Sequence, residues 1–353
     1  MPDLVVAGAG MAGLVAAAEA RSRGAEVVVL EKGGEPGGSM RLSSGVVWRY
    51  RDFDRFRREC PGGEPVLQRL VHDRLDRDIG WLESLGARVV GRGTGNPATV
   101  GVRFSPASLV RALARRAGEI RVGEPLRELP ARTPVVLATG GFQADRELVR
   151  RYVTHEADSL LLRATPWSTG DGLRLGQEAG ATPSAAMDEF YGRNMPAPPA
   201  RVPEARFVEL AQLYAHDATV ENEAGERYEA RTWSEIDVVQ WTARQPRARA
   251  LYRVADALLS VRIRGRTIGE MVDAAERAGA SVRRAGRTTT VEVVAGITTT
   301  LGGLVVDDSA RAAPRVYAAG ADVGRISTGG YSSGLAAALV LGRVAAASAL
   351  EDR

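Results

Sequence analysis

Cysteine and histidine are scarce in this chain of 353 residues. Cys60 is the only cysteine, and the three histidines, His72, His155 and His216, lie far apart in the sequence. One cysteine rules out an intramolecular disulfide and a Cys-x-x-Cys motif, and no two histidines form a His-x-x-x-His pair. Cysteine-based zinc sites and Cys–His catalysis are therefore excluded, and we predict no metal site.

The basic residues are numerous but not clustered. Lysine and arginine total 47 against 43 acidic residues, which gives a net charge of +4, and Lys32 is the only lysine. Acidic residues interleave with arginines, as in RYRDFDRFRRE, and no patch combines basic with aromatic residues. Such interleaving is typical of a solvated surface. We predict that the protein does not bind nucleic acid.

Long uncharged apolar runs are also missing. A membrane helix needs about 18 or more such residues, and the best candidate, residues 334–350, contains Arg343. The chain begins with a predicted strand rather than with a basic leader. We expect a cytoplasmic protein without a membrane span.

The N-terminal residues show the strand–helix–strand pattern of α/β proteins. Residues 4–7 and 25–30 are rich in valine and leucine, as are strands buried on both faces, and residues 13–23 have helical spacing. Later segments predict two helices and a strand, at residues 67–85, 108–117 and 134–138.

A glycine-rich turn joins the first predicted strand to the first helix. In GAGMAG, Gly8 allows a tight turn, Gly10 lets a pyrophosphate approach the backbone, and Gly13 lets the helix pack on the strand. Glu31 ends the second strand, where a carboxylate accepts hydrogen bonds from a ribose diol, and this disfavours NADP. A second glycine pair, Gly37-Gly38, follows Glu31. This extension resembles the one in two-dinucleotide-binding flavoproteins, and the resemblance favours FAD over NAD.

The middle of the chain differs in composition from both ends. It is proline-rich and irregular from about residue 185, and strand and glycine patterns return near residue 297. We predict an FAD-binding domain built from residues 1–184 and 298–353, with a cap or substrate domain over residues 185–297.

Five motifs together resemble the fumarate reductase/succinate dehydrogenase flavoprotein family, and more closely its 3-ketosteroid dehydrogenase-like and tricarballylate dehydrogenase-like members. They are GAGMAG with EKGGEPGGSMRLSSG, VVLATGGF, STGDGLRLGQEAGA, GITTTLGGLVVD, and VYAAGADVG with GGYSSGLAAALVLGR. The resemblance implies an α/β fold: a Rossmann-like FAD-binding domain of the two-dinucleotide-binding, glutathione-reductase-like type with a small inserted α+β cap domain.

We expect the FAD to be non-covalent, because no histidine or cysteine lies in the N-terminal flavin motif. The resemblance also implies which residues bind FAD. Ser43, Ser44 and Gly45 are expected near the flavin ring, Asp322 on the ribityl chain, and residues 334–336 at the start of a helix aimed at the flavin. The complete set of predicted cofactor-binding residues is Gly8, Gly10, Met11, Ala12, Gly13, Glu31, Lys32, Gly37, Gly38, Ser39, Ser43, Ser44, Gly45, Ala138, Thr139, Gly140, Asp171, Gly320, Asp322, Gly334, Leu335 and Ala336.

Two departures from fumarate reductases bear on the substrate. Their HHTMGG segment reads TTTLGG here, with Thr298 and Thr299 at the histidine positions. Their proton-delivering arginine position falls near Glu235, and Arg231 is close but out of register. Fumarate chemistry is therefore not expected.

The resemblance to ketosteroid dehydrogenases instead implies one catalytic tyrosine, in the C-terminal flavin motif. Tyr331 in GGYSSG is expected to hydrogen-bond the substrate carbonyl, Tyr191 is a second candidate, and Arg193 is a possible carboxylate partner. The implied activity is an FAD-dependent dehydrogenase or ene-reductase acting on a CH–CH bond next to a carbonyl or carboxylate, with hydride transfer at flavin N5. The expected substrate is a ketone, enone or unsaturated acid, and the electron partner is not identified.

Two other functions compete with this activity. A disulfide-type NAD(P)H flavoprotein needs a second Gly-x-Gly-x-x-Gly and a cysteine pair, which the chain lacks. A flavin-binding electron-transfer or partner subunit without its own turnover stays open.

Overall fold

The computed structural model describes residues 1–232 and 235–352. The chain forms two compact units. Unit 1 contains Met1–Asp145, Thr165–Glu189 and Thr300–Arg353, and unit 2 contains Arg146–Ala164 and Phe190–Thr299. Residue 353 of the predicted FAD-binding domain and residues 233 and 234 of the predicted cap domain lie outside the described residues.

The strands and α-helices are numbered in chain order. The strands are β1 (Leu4–Ala7), β2 (Val27–Glu31), β3 (Val46–Tyr50), β4 (Val89–Arg92), β5 (Thr99–Phe104), β6 (Glu119–Val122), β7 (Val135–Leu137), β8 (Leu161–Leu162), β9 (Phe190–Pro196), β10 (Thr219–Glu221), β11 (Arg249–Ala255), β12 (Arg262–Ile263), β13 (Arg266–Thr267), β14 (Val282–Ala285), β15 (Thr288–Thr300), β16 (Arg311–Ala313) and β17 (Val316–Ala318). The helices are α1 (Met11–Ser22), α2 (Phe53–Glu59), α3 (Pro65–Ser84), α4 (Pro106–Ala114), α5 (Arg146–Tyr152), α6 (Asp171–Glu178), α7 (Phe207–Leu210), α8 (Ile236–Ala243), α9 (Ile268–Arg277) and α10 (Gly334–Glu351).

Unit 1 is built on a six-stranded sheet in the order β16-β17-β7-β1-β2-β6. All neighbours from β17 to β6 are parallel, and β16 is antiparallel to β17. Parallel strands need crossover connections, and α1 supplies the first one between β1 and β2. The sheet brings the carboxyl ends of β1, β2, β7 and β17 to one edge, where ligands bind in open α/β folds.

Helix α10 is the longest apolar helix of unit 1. By length and composition it could cross a membrane, but 61% of it is buried within the protein. It packs along α1 and also contacts α3. Both features describe the core helix of a folded domain. A smaller antiparallel sheet, in the order β3-β5-β4, completes this unit.

Unit 2 is organised around the long strand β15. This strand pairs with β11 and β14 in antiparallel fashion, and it also pairs with β8 and β9. The core between this sheet and helices α8 and α9 includes Tyr214, Tyr252, Met271, Val291 and Val293, which are all fully buried.

The bounds of unit 2 differ from the predicted ones: residues 185–189 belong to unit 1, and residues 298 and 299 belong to unit 2. The largest difference is at residues 146–164. We assigned this segment to the FAD-binding domain, but β8 pairs in parallel with β15, and the Thr154 hydroxyl donates a hydrogen bond of 2.8 Å to the Ala243 carbonyl. A strand of two residues gives no readable sequence pattern, so only this long-range pairing places the segment. The helices and strands that the sequence predicted are confirmed, and their ends shift by at most three residues. They are those at residues 4–7, 13–23, 25–30, 67–85, 108–117 and 134–138.

Candidate active site

The glycine-rich turn between β1 and α1 forms an open cradle. A side chain at Gly13 would clash with the Gly8 carbonyl oxygen, since a Cβ there would lie 1.9 Å from it. The helix can therefore approach the strand only with glycine at this position. A Cβ on Gly10, in contrast, would meet no atom within 4 Å. The N-terminus of α1 thus faces open space, and its free N–H groups and dipole favour a phosphate there.

Glu31 is buried at the end of β2 and is bonded to the same turn. Its Oε2 accepts a hydrogen bond of 2.7 Å from the Ala9 N–H, and its Oε1 accepts one of 2.6 Å from the Gly33 N–H. A carboxylate has about four lone-pair positions, so about two remain for a ligand hydroxyl pair. Glu31 therefore fixes the turn and retains the capacity to hold a ribose.

The second glycine pair closes onto the first turn. The Gly37 N–H donates a hydrogen bond of 2.7 Å to the Ala9 carbonyl, and Gly38 passes close to Gly10. Ser39 follows, and its hydroxyl accepts a hydrogen bond of 3.1 Å from the Thr165 N–H. The structure thus brings both predicted glycine motifs to one place.

Asp322 lies at the carboxyl edge of the sheet and is 2% exposed. Its carboxylate accepts hydrogen bonds from the Thr139 N–H at 2.5 Å, and from the Thr139 hydroxyl and the Gly141 N–H at 3.1 Å each. Burial raises the pKa of Asp322, and these donors oppose that effect. Asp322 thereby joins the loop after β7 to the turn after β17, which contains Gly320, and keeps about one acceptor position for a hydroxyl.

Lys32 and Asp171 form an ion pair beside this loop. The Lys32 ammonium lies 2.9 Å from the Asp171 carboxylate and donates a hydrogen bond of 2.5 Å to the Thr169 hydroxyl. The Gly172 N–H donates to the Thr139 hydroxyl at 2.9 Å. The predicted residues Lys32, Asp171 and Thr139 are therefore adjacent, and Lys32 is committed to Asp171.

Another group of predicted flavin residues lies just before β3 and at the start of α10. Gly45 precedes β3 in a left-handed conformation, and the Ser43 hydroxyl accepts a hydrogen bond of 3.1 Å from its N–H. Ser44 is exposed and Leu335 is half-buried. Ser333 caps α10 by accepting a hydrogen bond of 3.2 Å from the Ala336 N–H. Helix α10 is 18 residues long and begins at exposed Gly334, so its positive N-terminus is available to a ligand.

Tyr331 lies just before this helix and packs against aromatic residues from β3. Its ring centroid is 5.4 Å from that of Trp48, and its backbone carbonyl accepts a hydrogen bond of 2.7 Å from the Tyr50 hydroxyl. Trp48 and Tyr50 are nearly or fully buried and were not predicted as part of the site. Their ordinary strand pattern gives no sign of this contact, which joins segments about 280 residues apart.

These features fit a flavin dinucleotide: an open cradle at a helix N-terminus, a carboxylate for ribose and a buried aspartate with a spare acceptor position. A family model described as an FAD binding domain matches residues 3–103 and 48–335. The chain belongs to this FAD-binding family. FAD is therefore its cofactor, and the predicted family and fold class are confirmed.

Solved flavoproteins share the fold of this family member over nearly its whole length. A flavocytochrome c3 fumarate reductase matches with a TM-score of 0.75 and 18% identity, covering 99% of this chain and 78% of that chain. A 3-ketosteroid Δ4-(5α)-dehydrogenase from Rhodococcus jostii RHA1 matches with a TM-score of 0.74 and 17% identity, covering 99% and 96%. At these identities the likeness concerns the fold.

A relative recognised by sequence is a vinyl phenol reductase from Lactiplantibacillus plantarum. It is 24% identical over 230 residues, which cover 51% of this chain and 46% of the relative. The match with this flavoprotein thus spans about half the length of either protein.

Unit 2 of the flavoprotein holds the second predicted tyrosine in a basic cluster. The Arg193 Nε donates a hydrogen bond of 3.4 Å to the Tyr191 hydroxyl, and the guanidinium carbon lies 5.4 Å from the ring centroid. Burial raises the pKa of Tyr191, but the positive charges of Arg193, Arg163 and Arg264 outweigh burial and lower that pKa to about 7. A tyrosine with such a pKa can give or take a proton near neutral pH.

Buried Arg193 also contacts an acidic residue. Its Nη1 lies 3.5 Å from Oε2 of Glu235, whose other oxygen accepts a hydrogen bond of 2.7 Å from the Ala215 N–H. Burial raises the pKa of Glu235, and the charge of Arg193 opposes that effect. The backbone N–H of Arg231 instead donates a hydrogen bond of 2.7 Å to the carboxylate of Asp237. Glu235 is therefore the acidic partner of Arg193 in this cluster. Arg231 contacts Asp237 instead.

Arg163 is a member of this cluster that the sequence analysis missed. Its Nη1 donates a hydrogen bond of 3.0 Å to the hydroxyl of Thr298, one of the two threonines at the histidine positions. Arg163 lies next to the short strand β8 and in no motif, so no sequence signal pointed to it. The pairing gives Thr298 a role in holding an arginine.

The pentapeptide before α10, residues 330–334, fits the Gly-x-Ser-x-Gly pattern of hydrolase nucleophiles. Its central Ser332 is 7% exposed, and its hydroxyl lies 2.5 Å from that of Ser327. No histidine is bonded to Ser332 in the described part of the chain. A nucleophilic serine needs a neighbouring base, so the arrangement does not support a hydrolase.

Proposed function

We propose that the protein is an FAD-dependent dehydrogenase or ene-reductase acting on a carbon–carbon bond adjacent to a carbonyl or carboxylate. The observation that carries the proposal is the Tyr191 hydroxyl beside Arg193, with its pKa lowered to about 7. Proteins similar to this one are named as a fumarate reductase, a 3-ketosteroid dehydrogenase and a vinyl phenol reductase. Each of these names refers to a substrate in which the reacting carbon–carbon bond is next to an activating group. They support the same reaction class here.

Such a reaction moves a hydride and a proton. FAD, when bound, supplies the acceptor or donor of the hydride. The protein must supply the group that gives or takes the proton at the carbon next to the activating group. A proton carrier works best with a pKa near the operating pH, and an ordinary tyrosine has a pKa near 10. We assign this role to Tyr191.

The arginines make that role possible. Guanidinium groups stay protonated, so Arg193 and Arg163 stabilise negative charge on the phenol oxygen throughout the neutral range. Arg193 is itself held by Glu235, which fixes its Nε toward the Tyr191 hydroxyl. In the oxidative direction the phenolate of Tyr191 accepts the proton, and in the reductive direction its phenol donates one.

Several finer properties belong to the same proposal. The FAD is non-covalent, because no histidine or cysteine lies in the N-terminal flavin motif, and acid precipitation should release all of it. The substrate is a ketone, enone or unsaturated acid. Electrons go to, or come from, a separate partner, and the protein acts in the cytoplasm.

The test is the Tyr191→Phe variant, followed by the rate of flavin reduction or reoxidation in rapid mixing. Losing a general acid or base should slow that step by roughly 100–10,000-fold. The wild-type rate should titrate near pH 7, rising with pH in the oxidative direction and falling in the reductive direction, and this dependence should vanish in the variant.

Tyr152→Phe is the matched control, because Tyr152 also lies in unit 2 with an arginine, Arg151, 5.1 Å from its ring. This variant should keep the wild-type rate and pH profile. A Tyr191→Phe protein with an unchanged rate, or with the same titration near pH 7, would contradict the assignment.

A further inference from the structure

A cleft beside the glycine-rich turns contains residues with no role so far. It has a volume of about 450 Å³ and is lined by Glu31, Gly34, Gly38, Arg41, Thr165 and Trp167, among others. This volume lies within the range of ligand sites, about 300–1,000 Å³. Glu31 and Gly38 are proposed FAD contacts, so the cleft is continuous with the ribose and diphosphate positions. Trp167 and Arg41 are new to this site.

Trp167 presents its indole directly over the turn. A Cβ on Gly33 would lie 2.8 Å from Cδ1 and 2.9 Å from Nε1 of Trp167, so only glycine allows this contact. The N–H of Gly33 is bonded to Glu31, the proposed ribose ligand. The indole nevertheless remains 46% exposed. A large aromatic surface left open next to a ribose position is suited to the flat base that the ribose bears.

Arg41 is the cation that lines this cleft. Its stem packs on Gly37, where a Cβ would lie 2.6 Å from its Cγ, and its buried Nε has no hydrogen-bond partner among the described residues. Its Nη1 pairs with Glu35, whose side chain is 65% exposed. Exposed pairs of this kind contribute little, so a phosphate can replace Glu35. Lys32 pairs with Asp171 at 2.9 Å and does not line the cleft.

We infer that Trp167 and Arg41 bind the ADP half of FAD: the indole stacks on the adenine, and the guanidinium pairs with the diphosphate. The inference goes beyond the proposed reaction and depends only on FAD being the cofactor. It makes the two side chains determinants of selectivity for FAD over flavins that lack adenosine.

The test uses ADP and the flavin-free protein, so that it reads binding without turnover. ADP should quench tryptophan fluorescence in the wild type and should compete with added FAD. Trp167→Phe should abolish the quench while binding ADP within a few-fold of the wild type. Trp167→Ala should weaken ADP binding about tenfold or more, as measured by calorimetry. Trp241→Phe is the matched control, because Trp241 packs against Tyr228 and does not line the cleft, so this variant should leave the quench intact.

Arg41→Gln separates the diphosphate from the base. It should weaken ADP binding about tenfold and leave adenosine binding unchanged, because adenosine carries no phosphate. The inference is overturned if the wild-type protein binds FAD but not ADP, if the quench persists in Trp167→Phe, or if Trp167→Ala binds ADP like the wild type. Equal weakening of ADP and adenosine by Arg41→Gln would overturn the role of Arg41. None of these results depends on the reaction assigned to Tyr191.

Discussion

Replacing Arg343 by leucine should destabilise the protein strongly. Arg343 lies in the apolar helix α10, and its side chain is 14% exposed. Its Nε lies 2.8 Å from Oε2 of Glu19 on α1, and its Nη1 lies 2.5 Å from Oδ1 of Asp78 on α3. The side chains of Glu19 and Asp78 are 7% and 0% exposed. One guanidinium thus contacts two buried carboxylates from two helices. Glu19 is also paired with Arg23 at 3.0 Å, so Asp78 is the carboxylate that depends mainly on Arg343.

The size of the effect follows from what remains after the replacement. Removing one partner of a buried ion pair costs about 3–5 kcal/mol, because the other charge stays buried and uncompensated. Arg74 and Arg77 give Asp78 only weak compensation, at 3.9 and 3.4 Å. A loss of this size is a large fraction of a typical free energy of unfolding of about 5–15 kcal/mol.

The pH dependence has a definite sign. Burial raises the pKa of Asp78, and the charge of Arg343 opposes that effect, so the variant should have a still higher pKa at Asp78. A carboxyl whose pKa is raised in the folded state favours folding when protonated, and this contribution disappears as the pH rises. The cost of Arg343→Leu should therefore be smaller at about pH 5 than at about pH 8.

Urea unfolding at both pH values measures the free energies. Arg284→Leu is the matched control, because Arg284 makes two bonds of 2.8 and 2.9 Å to Glu276, but the side chains are 49% and 47% exposed. That variant should lose little stability, because water and salt screen an exposed ion pair. The reasoning is refuted if Arg343→Leu costs no more than Arg284→Leu, or if its cost is the same at both pH values.

Three further predictions concern the flavin and the substrate. Glu31→Ala should weaken FAD binding by about 1–3 kcal/mol, because charge-assisted bonds to the turn and to the ribose are lost, and titration of the flavin-free protein with FAD checks this. Tyr331→Phe should keep FAD bound and slow flavin reduction by roughly 100–1000-fold if its hydroxyl donates to the substrate carbonyl; an unchanged rate would leave Tyr331 as a packing partner of Trp48. Fumarate should not be turned over at ordinary rates of roughly 1–1000 per second, because Thr298 and Thr299 replace the histidines, and an assay with reduced viologen dye checks this.

The sequence predicted the FAD-binding unit well because its signals are local. Glycine spacing, Glu31 and the valine-rich strands lie within about 40 residues, and each has one dominant physical reason. The network around Asp322 joins segments far apart, and the family motifs named Thr139 and Asp322 only separately, as cofactor-binding residues. Here the resemblance supplied what local patterns do not contain.

Unit 2 was less predictable because its site depends on long-range packing. Tyr191 and Arg193 alternate along β9, but Arg163 reaches Thr298 only because β8 pairs with β15. A strand of two residues has no sequence pattern that predicts this pairing.

One contact in unit 1 was equally hard to predict, because the contact of Trp167 with Gly33 joins residues more than 130 positions apart. The sequence alone identified neither Trp167 nor Gly33 as part of a site.

The most direct test of the account is a flavin absorbance experiment on the purified protein without oxygen. The oxidised protein is mixed with saturated 3-ketosteroids and ketones, and the reduced protein with enones and unsaturated acids other than fumarate. We predict that at least one compound bleaches or restores the flavin band within seconds, and that Tyr191→Phe slows this change. The account is contradicted if no such compound changes the flavin while dithionite and a one-electron acceptor do, since the protein would then be an electron-transfer subunit.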